Sequence, residues 1–210
     1  MELSEGIDRL AAIASEPLGG PLSGSVRDNP LPRDLRSLLA KVNGLYAFES
    51  SLHVFPSLGV GVRLSLEWWN TPDLWRDSYG PMAEGLLFFA EDALGGQFAI
   101  EDGAGVCTLD PETGQREFMA ASMGEWLSLL LSDFEPVTAY RLAAEWQRRH
   151  GSIPPGRRLV PRTPFVLGGA FEPENLACID QVEGMRLRGA LALQIRDLPD
   201  GTRVRYSISE

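Results

Sequence analysis

The chain has 210 residues, 44% of them hydrophobic and 23% charged, with a formal net charge of −10. These proportions describe a soluble globular protein whose core needs neither disulfides nor metal. A bilayer-spanning segment is excluded, because apolar runs such as "GLLFFA" fall far short of the ~20 residues required. The opening "MELSEGIDRL" is acidic where a secretory signal needs positive charge. A cytoplasmic protein with no membrane partner is expected.

The charge is uneven. Residues 1–136 carry 8 Lys+Arg against 21 Asp+Glu, whereas residues 137–210 carry 11 arginines against 8 carboxylates. The acidic part would repel a nucleic-acid backbone, whose binding depends on basic residues displacing counterions. The same charge would attract a basic protein and speed the encounter.

In chain order, Ile7, Leu10, Ala11 and Ala14 share one face of a helix expected over Ser4–Ala14. A second helix follows in "LPRDLRSLLAKVNGL". Pro32 suits its first turn and Asn43–Gly44 its left-handed stop. Beyond Leu52, "LHVFPSLGVGVRLSLE" alternates at Val60, Val62, Leu64 and Leu66, which predicts strands. The aromatic "EWWNTPDLWRDSYG" is turn-rich, with a short helical turn expected from Asn70 or Thr71. Four apolar segments, "GLLFFAED", "QFAIED", "VCTLD" and "REFMA", are separated by turn residues and predict an antiparallel meander. Ser122 and Glu125 form the S-x-x-E start of a helix carrying Trp126, and another helix is expected from Thr138 to His150. The rest reads as short strands, with a brief helix in "GALALQIRDL" and a final strand through Val204, Tyr206 and Ile208.

The motifs exclude most chemistry. Gly95–Gly96 leads into a strand rather than a helix, so it cannot cradle a phosphate. Neighbouring carboxylates on a strand point to opposite faces, so Glu91/Asp92 and Glu101/Asp102 make no obvious glycosidase or metal site. Asp92 is expected to cap the turn through its side chain, with Glu91 and Glu101 solvated. His53 and His150 are the only histidines and lack partners at metal-ligand spacing. Cys107 and Cys178 read as buried free thiols. The run "RRHGSIPPGRRLVPR" reads as a solvated basic face. No catalytic residue and no cofactor is expected. Trp68, Trp69 and Trp75 admit two readings, as core or as contacts for a partner.

The segments "LPRDLRSLLAKVNGL", "GLLFFAEDALGGQFAI", "VCTLDPETGQ" and "SMGEWLSLLL" together resemble the SUKH superfamily of the Smi/Knr type. Leu31, Pro32, Asn43, Gly44, Phe89, Ala90, Asp92, Gly96, Phe98 and Trp126 stand at matching positions, over Leu31 to Asp133. The resemblance implies an α+β fold: an antiparallel β-meander core, N-terminal helices and a closing helix that carries the tryptophan. The domain is placed at 1–136, with an α+β C-terminal extension at 137–210 packed on it. It also implies a non-catalytic protein-binding role, since most such proteins are bacterial immunity proteins that neutralise a toxin, often a nuclease. A regulatory or scaffolding module unconnected with toxins is the alternative. The expected partner-binding residues are Trp68, Trp69, Trp75, Glu91, Glu101, Asp102 and Asp110.

Overall fold

The computed structural model describes residues 1–22, 31–59, 62–101, 103–199 and 201–202. The expected final strand, Val60 and Asp102 lie outside them. The fold is α+β. Its centre is a six-stranded antiparallel sheet in sequence order: β1 (Leu45–Ala47), β2 (Leu52–Val54), β3 (Leu86–Asp92), β4 (Gln97–Glu101), β5 (Gly105–Leu109) and β6 (Arg116–Ala120). The expected meander is β3 to β6, joined by short turns.

On one face lie α1 (Leu3–Ile13), α2 (Arg33–Lys41) and α4 (Met123–Ser132), each with an apolar stripe turned inward. Ser122 caps α4 by accepting the Glu125 N–H. The Glu125 carboxylate returns to the Ala121 N–H at 2.8 Å, one residue earlier than in a capping box. Trp126 is fully buried, with the rings of Phe89 and Phe98 packed edge-to-face against it at 5.0 and 5.6 Å.

The alternation at 62–66 does not make a strand. Leu64 takes a left-handed φ of 66°, and Ser65 caps a short helix, α3 (Leu66–Trp69), by accepting the Trp68 N–H. The turn expected from Asn70 or Thr71 is present, with the Leu74 N–H donating to the Thr71 carbonyl and the Asp77 N–H to that of Pro72, but α3 precedes it and was not foreseen. Helical turns at Arg76–Ser78 and Gly80–Ala83 complete this aromatic segment. Trp69, Trp75 and Tyr79 cover the second face of the sheet, with Trp75 against Phe88 at 4.9 Å.

The C-terminal part continues through α5 (Phe134–Val137), α6 (Tyr140–His150), a hairpin of β7 (Arg157–Pro161) and β8 (Leu176–Asp180), and α7 (Gln181–Ile195). The expected strands and brief helix after Asp180 are instead one long helix. Asp180 starts it, accepting the N–H groups of Val182 and Glu183. Gly184 and Gly189 lie where a Cβ would come within 3 Å of Val160 and of the Tyr79 ring, so the helix seats closely against its neighbours. Leu159 N–H donates to the Ala93 carbonyl at 3.0 Å, which ties β7 to the end of β3.

Candidate functional site

Gly95 and Gly96 do different jobs. Gly95 has φ +79°, and a Cβ there would fall 2.5 Å from Arg188 Nη2; Gly96 has no left-handed φ, but its Cβ would fall 2.5 Å from Asp92 Oδ2. Asp92 caps the turn as its sequence predicts, with Oδ1 accepting the N–H groups of Leu94 and Gly96 at 2.8 Å each. Arg188 of α7 crosses the same turn and donates to the Leu94 carbonyl. Burial pushes the Asp92 carboxyl up to about 6, against the opposing pull of those N–H groups and of Arg188.

Beside the turn, Glu91 is completely buried, which corrects the expectation that it is solvated. A β-bulge explains the error. Phe88 pairs with Ala99 but Ala90 pairs with Phe98, so the register slips at Phe89. The slip reverses the alternation and places Glu91 on the face of Gln97 and His53, its cross-strand partners. Arg158 of β7, 1% exposed, places Nε 2.9 Å from Glu91 Oε1, and His53 Nδ1 lies 3.0 Å from the same oxygen. Arg158 was expected on a solvated basic face and is instead the ion that meets Glu91. Its Nε is not aligned for a hydrogen bond to that oxygen. Burial alone would raise the Glu91 carboxyl, but Arg158 and His53 outweigh it and hold it below the usual carboxylate range. His53 is shifted down by burial despite its bond to Glu91, and the Arg158 charge adds to that. His53 is therefore a neutral ring donating Nδ1–H to a carboxylate anion.

This cluster dictates a pH response. A base whose folded pKa is lowered is protonated first in the unfolded chain, so stability falls as pH drops below about 6.5. The slope reaches at most about 1.4 kcal/mol per pH unit for one proton. Asp92 acts with the opposite sign. Its folded pKa is raised, so its contribution is lost as pH climbs from 3.8 through about 6. Thermal unfolding at pH 7.5, 6.5 and 5.5 should show a falling midpoint that is flatter in His53→Gln; an equal slope in both would refute the assignment.

A cleft of about 640 Å³ opens next to the Gly95–Gly96 turn. Its floor combines that turn with the β5–β6 turn, Asp110 to Gln115, and its far wall comes from Phe165 to Phe171 in the C-terminal part. Asp110 Oδ1 holds the β5–β6 turn by accepting the N–H groups of Glu112 and Thr113. Glu112, 5% exposed, reaches the opposite wall, where Oε2 accepts the Val166 N–H at 2.8 Å. Its Oε1 has no hydrogen-bond partner among the described residues, although the Phe165 N–H acts on the carboxylate. Burial raises the Glu112 pKa against the Val166 and Phe165 N–H groups and Arg188. The Phe165 and Phe171 rings stack at 3.9 Å, and Phe171 is 71% exposed.

The sequence-predicted partner residues scatter. Asp110 is exposed at the cleft, and Trp68 and Glu101 are partly exposed away from it, with Glu101 paired to Arg116 at 3.1 Å. Trp69, Trp75 and Glu91 are fully buried, so direct contact with a partner is closed to them. Trp69 Nε1 instead donates to Gln97 and Trp75 Nε1 to the Trp69 carbonyl. Glu112, Phe165 and Phe171 were not foreseen. Glu112 gave no signal because it follows Pro111 in a turn, where a carboxylate reads as solvated. The described residues contain no group of three His, Cys, Asp or Glu side chains arranged for a metal, and no helix long and apolar enough to cross a membrane. Cys107 and Cys178 are free thiols, the first buried and the second half-buried.

Residues 27–129 match the SMI1/KNR4 family (SUKH-1). The chain carries a SUKH-1 domain. The matched span runs from before α2 to the penultimate turn of α4, so it contains the whole six-stranded sheet and Trp126. Among solved structures, the crystal structure of Atu4351 from Agrobacterium tumefaciens superimposes with a TM-score of 0.54 at 11% identity. That likeness covers 90% of this chain and 89% of the other, and at such identity it speaks for the fold alone. No curated protein matches the chain. The SUKH-1 span ends well before Arg158 and Arg188, so both the arginine ion-paired with its central hairpin and the one hydrogen-bonded to it come from outside it.

Proposed function

We propose that this SUKH-1 protein is a non-catalytic, cytoplasmic immunity-type protein that binds and neutralises a basic toxin domain. The observation that carries the reading is the family match over residues 27–129, joined to an excess of 21 carboxylates over 8 basic side chains in residues 1–136. A convergent catalytic constellation is not part of the reading. The ionisable cluster of His53, Glu91 and Arg158 is sealed in the interior, where no substrate reaches it. Such a cluster holds structure together; surface carboxylates such as Glu101 and Asp110 are the groups available to a basic partner. If a neighbouring gene encodes a toxin, cells expressing it are expected to survive when the chain is co-expressed. Reversing charge with Glu101→Lys and Asp102→Lys should slow association about tenfold at low ionic strength and much less at high salt. Unchanged association in the double variant would sink the electrostatic part of the reading.

A further inference from the structure

The two edges of the central sheet differ. β1 is sealed by the segment after α1: the Ser15 N–H donates to the Tyr46 carbonyl at 2.8 Å, Ser15 Oγ accepts the Tyr46 N–H, and the Leu18 N–H donates to the Gly44 carbonyl. β6 stands at the other end of the strand order, and among the described residues no backbone group bonds its outer side. The phase of the ladder says which groups are open there. The Asp110 N–H donates to the Gln115 carbonyl, so the next hydrogen-bonded pair is Thr108–Glu117. The N–H and carbonyl groups of Arg116 and Phe118 therefore point away from β5. Phe118 is 69% exposed on one face of this edge, and Glu117 is exposed on the other. A bare edge carrying an exposed aromatic ring is a template for another strand, and folded proteins usually cover it.

We propose that residues 203–210, which lie outside those described, cover this edge as an added strand. Their sequence, "RVRYSISE", alternates Val204, Tyr206 and Ile208 with Arg203, Arg205, Ser207 and Ser209, the period of a strand. Paired with β6, the apolar set falls on the face of Phe118. The arginines then fall on the face of Glu117, where opposite charges on neighbouring strands attract. The length fits: eight residues at about 3.3 Å each reach about 26 Å, against about 17 Å for the five of β6. The position fits as well. A Cβ on Gly80 would stand 3.7 Å from Leu193 in the last turn of α7, and the Gly80–Ala83 turn is bonded to the start of β6, where the Met82 carbonyl accepts Arg116 Nε at 2.9 Å. The chain after α7 is thus delivered to the entry of the open edge. In the second sheet β8 adjoins the start of α7 instead, about 22 Å of helix away. The inference needs no partner molecule, so it stands apart from the toxin reading.

The test is amide hydrogen exchange of the full chain, labelled with nitrogen-15. The Arg116 and Phe118 amides are expected to exchange about tenfold or more slowly than open amides. Val204→Pro combined with Arg205→Pro removes a strand donor whichever of the two faces β6. It should return both amides to open exchange, while the Glu117 amide, bonded toward Thr108, keeps its protection and reports an intact sheet. Open exchange of Arg116 and Phe118 in the unaltered chain, or protection that survives the prolines, would overturn the proposal. Protection that grows with protein concentration would give the edge to a second copy and overturn it too. The assignment of faces is read by trapping. Glu117→Cys, combined in turn with Arg203→Cys, Val204→Cys, Arg205→Cys and Tyr206→Cys, should oxidise to an intrachain disulfide with the cysteine at 203 or 205 alone. Trapping at 204 or 206, trapping between chains, or none at any position would contradict it.

Discussion

Replacing Arg158 with methionine is expected to cost about 3–5 kcal/mol of folding stability at pH 7.5, because it strands the Glu91 charge in the interior. Glu91 is fully buried, and its other close partners are a neutral His53 at 3.0 Å and a Gln97 amide at 3.4 Å. Neither supplies a compensating charge. The loss should appear in urea unfolding as a lower midpoint, and the double variant Glu91→Gln with Arg158→Met should regain most of it, since it removes both charges together. A single variant costing under about 1 kcal/mol would show that Glu91 is not held as an anion by Arg158. The effect carries a structural meaning beyond its size. Arg158 lies outside the SUKH-1 span and Glu91 lies at its centre, so the ion pair makes the C-terminal part a condition for the stability of the domain.

Trp126→Ala is expected to destabilise by about 3–5 kcal/mol, the usual penalty for emptying a large aromatic site in a core. For a chain of this length that corresponds to a fall of about 6–20 °C in Tm. The ring joins α4 to the sheet through Phe89 and Phe98. Trp126→Phe should cost much less. The indole Nε1 is buried without a partner among the described residues, so removing it forfeits no bond and relieves an unmet donor. If the phenylalanine variant were as unstable as the alanine one, the ring would be acting through a polar contact after all.

Periodicity made most of the domain legible. The stripe Leu35, Leu38, Leu39 with the Asn43–Gly44 stop gave α2, and the separators between Leu86 and Ala120 gave the meander, because both depend on local rules. The alternation at Val62, Leu64 and Leu66 misled, since a period of two also arises in a loop where a left-handed Leu64 precedes a serine cap. The helix α7 was obscured by its own environment. It is buried on several sides and holds Gly184 and Gly189 for close approach, so it shows neither a single apolar stripe nor high helix propensity. The D-Q-V-E start at Asp180 was the available signal. Glu91 was beyond reach of a strand rule, because a bulge resets the alternation and the arginine that neutralises it lies 67 residues away in sequence. The cleft depends on the same long-range docking: its acidic floor could be read from the turns, but not its Phe165–Phe171 wall.

The central claim is that an acidic SUKH-1 protein neutralises a basic toxin by binding it. Calorimetric titration of the purified chain into a basic toxin domain, taken from a neighbouring gene where one encodes it, tests this most directly, at about 50 mM and about 500 mM salt. One-to-one binding, clearly weaker at the higher salt and accompanied by loss of toxin activity at equivalence, is the predicted result. The absence of binding at both salt concentrations, or binding that leaves the toxin fully active, would contradict the account.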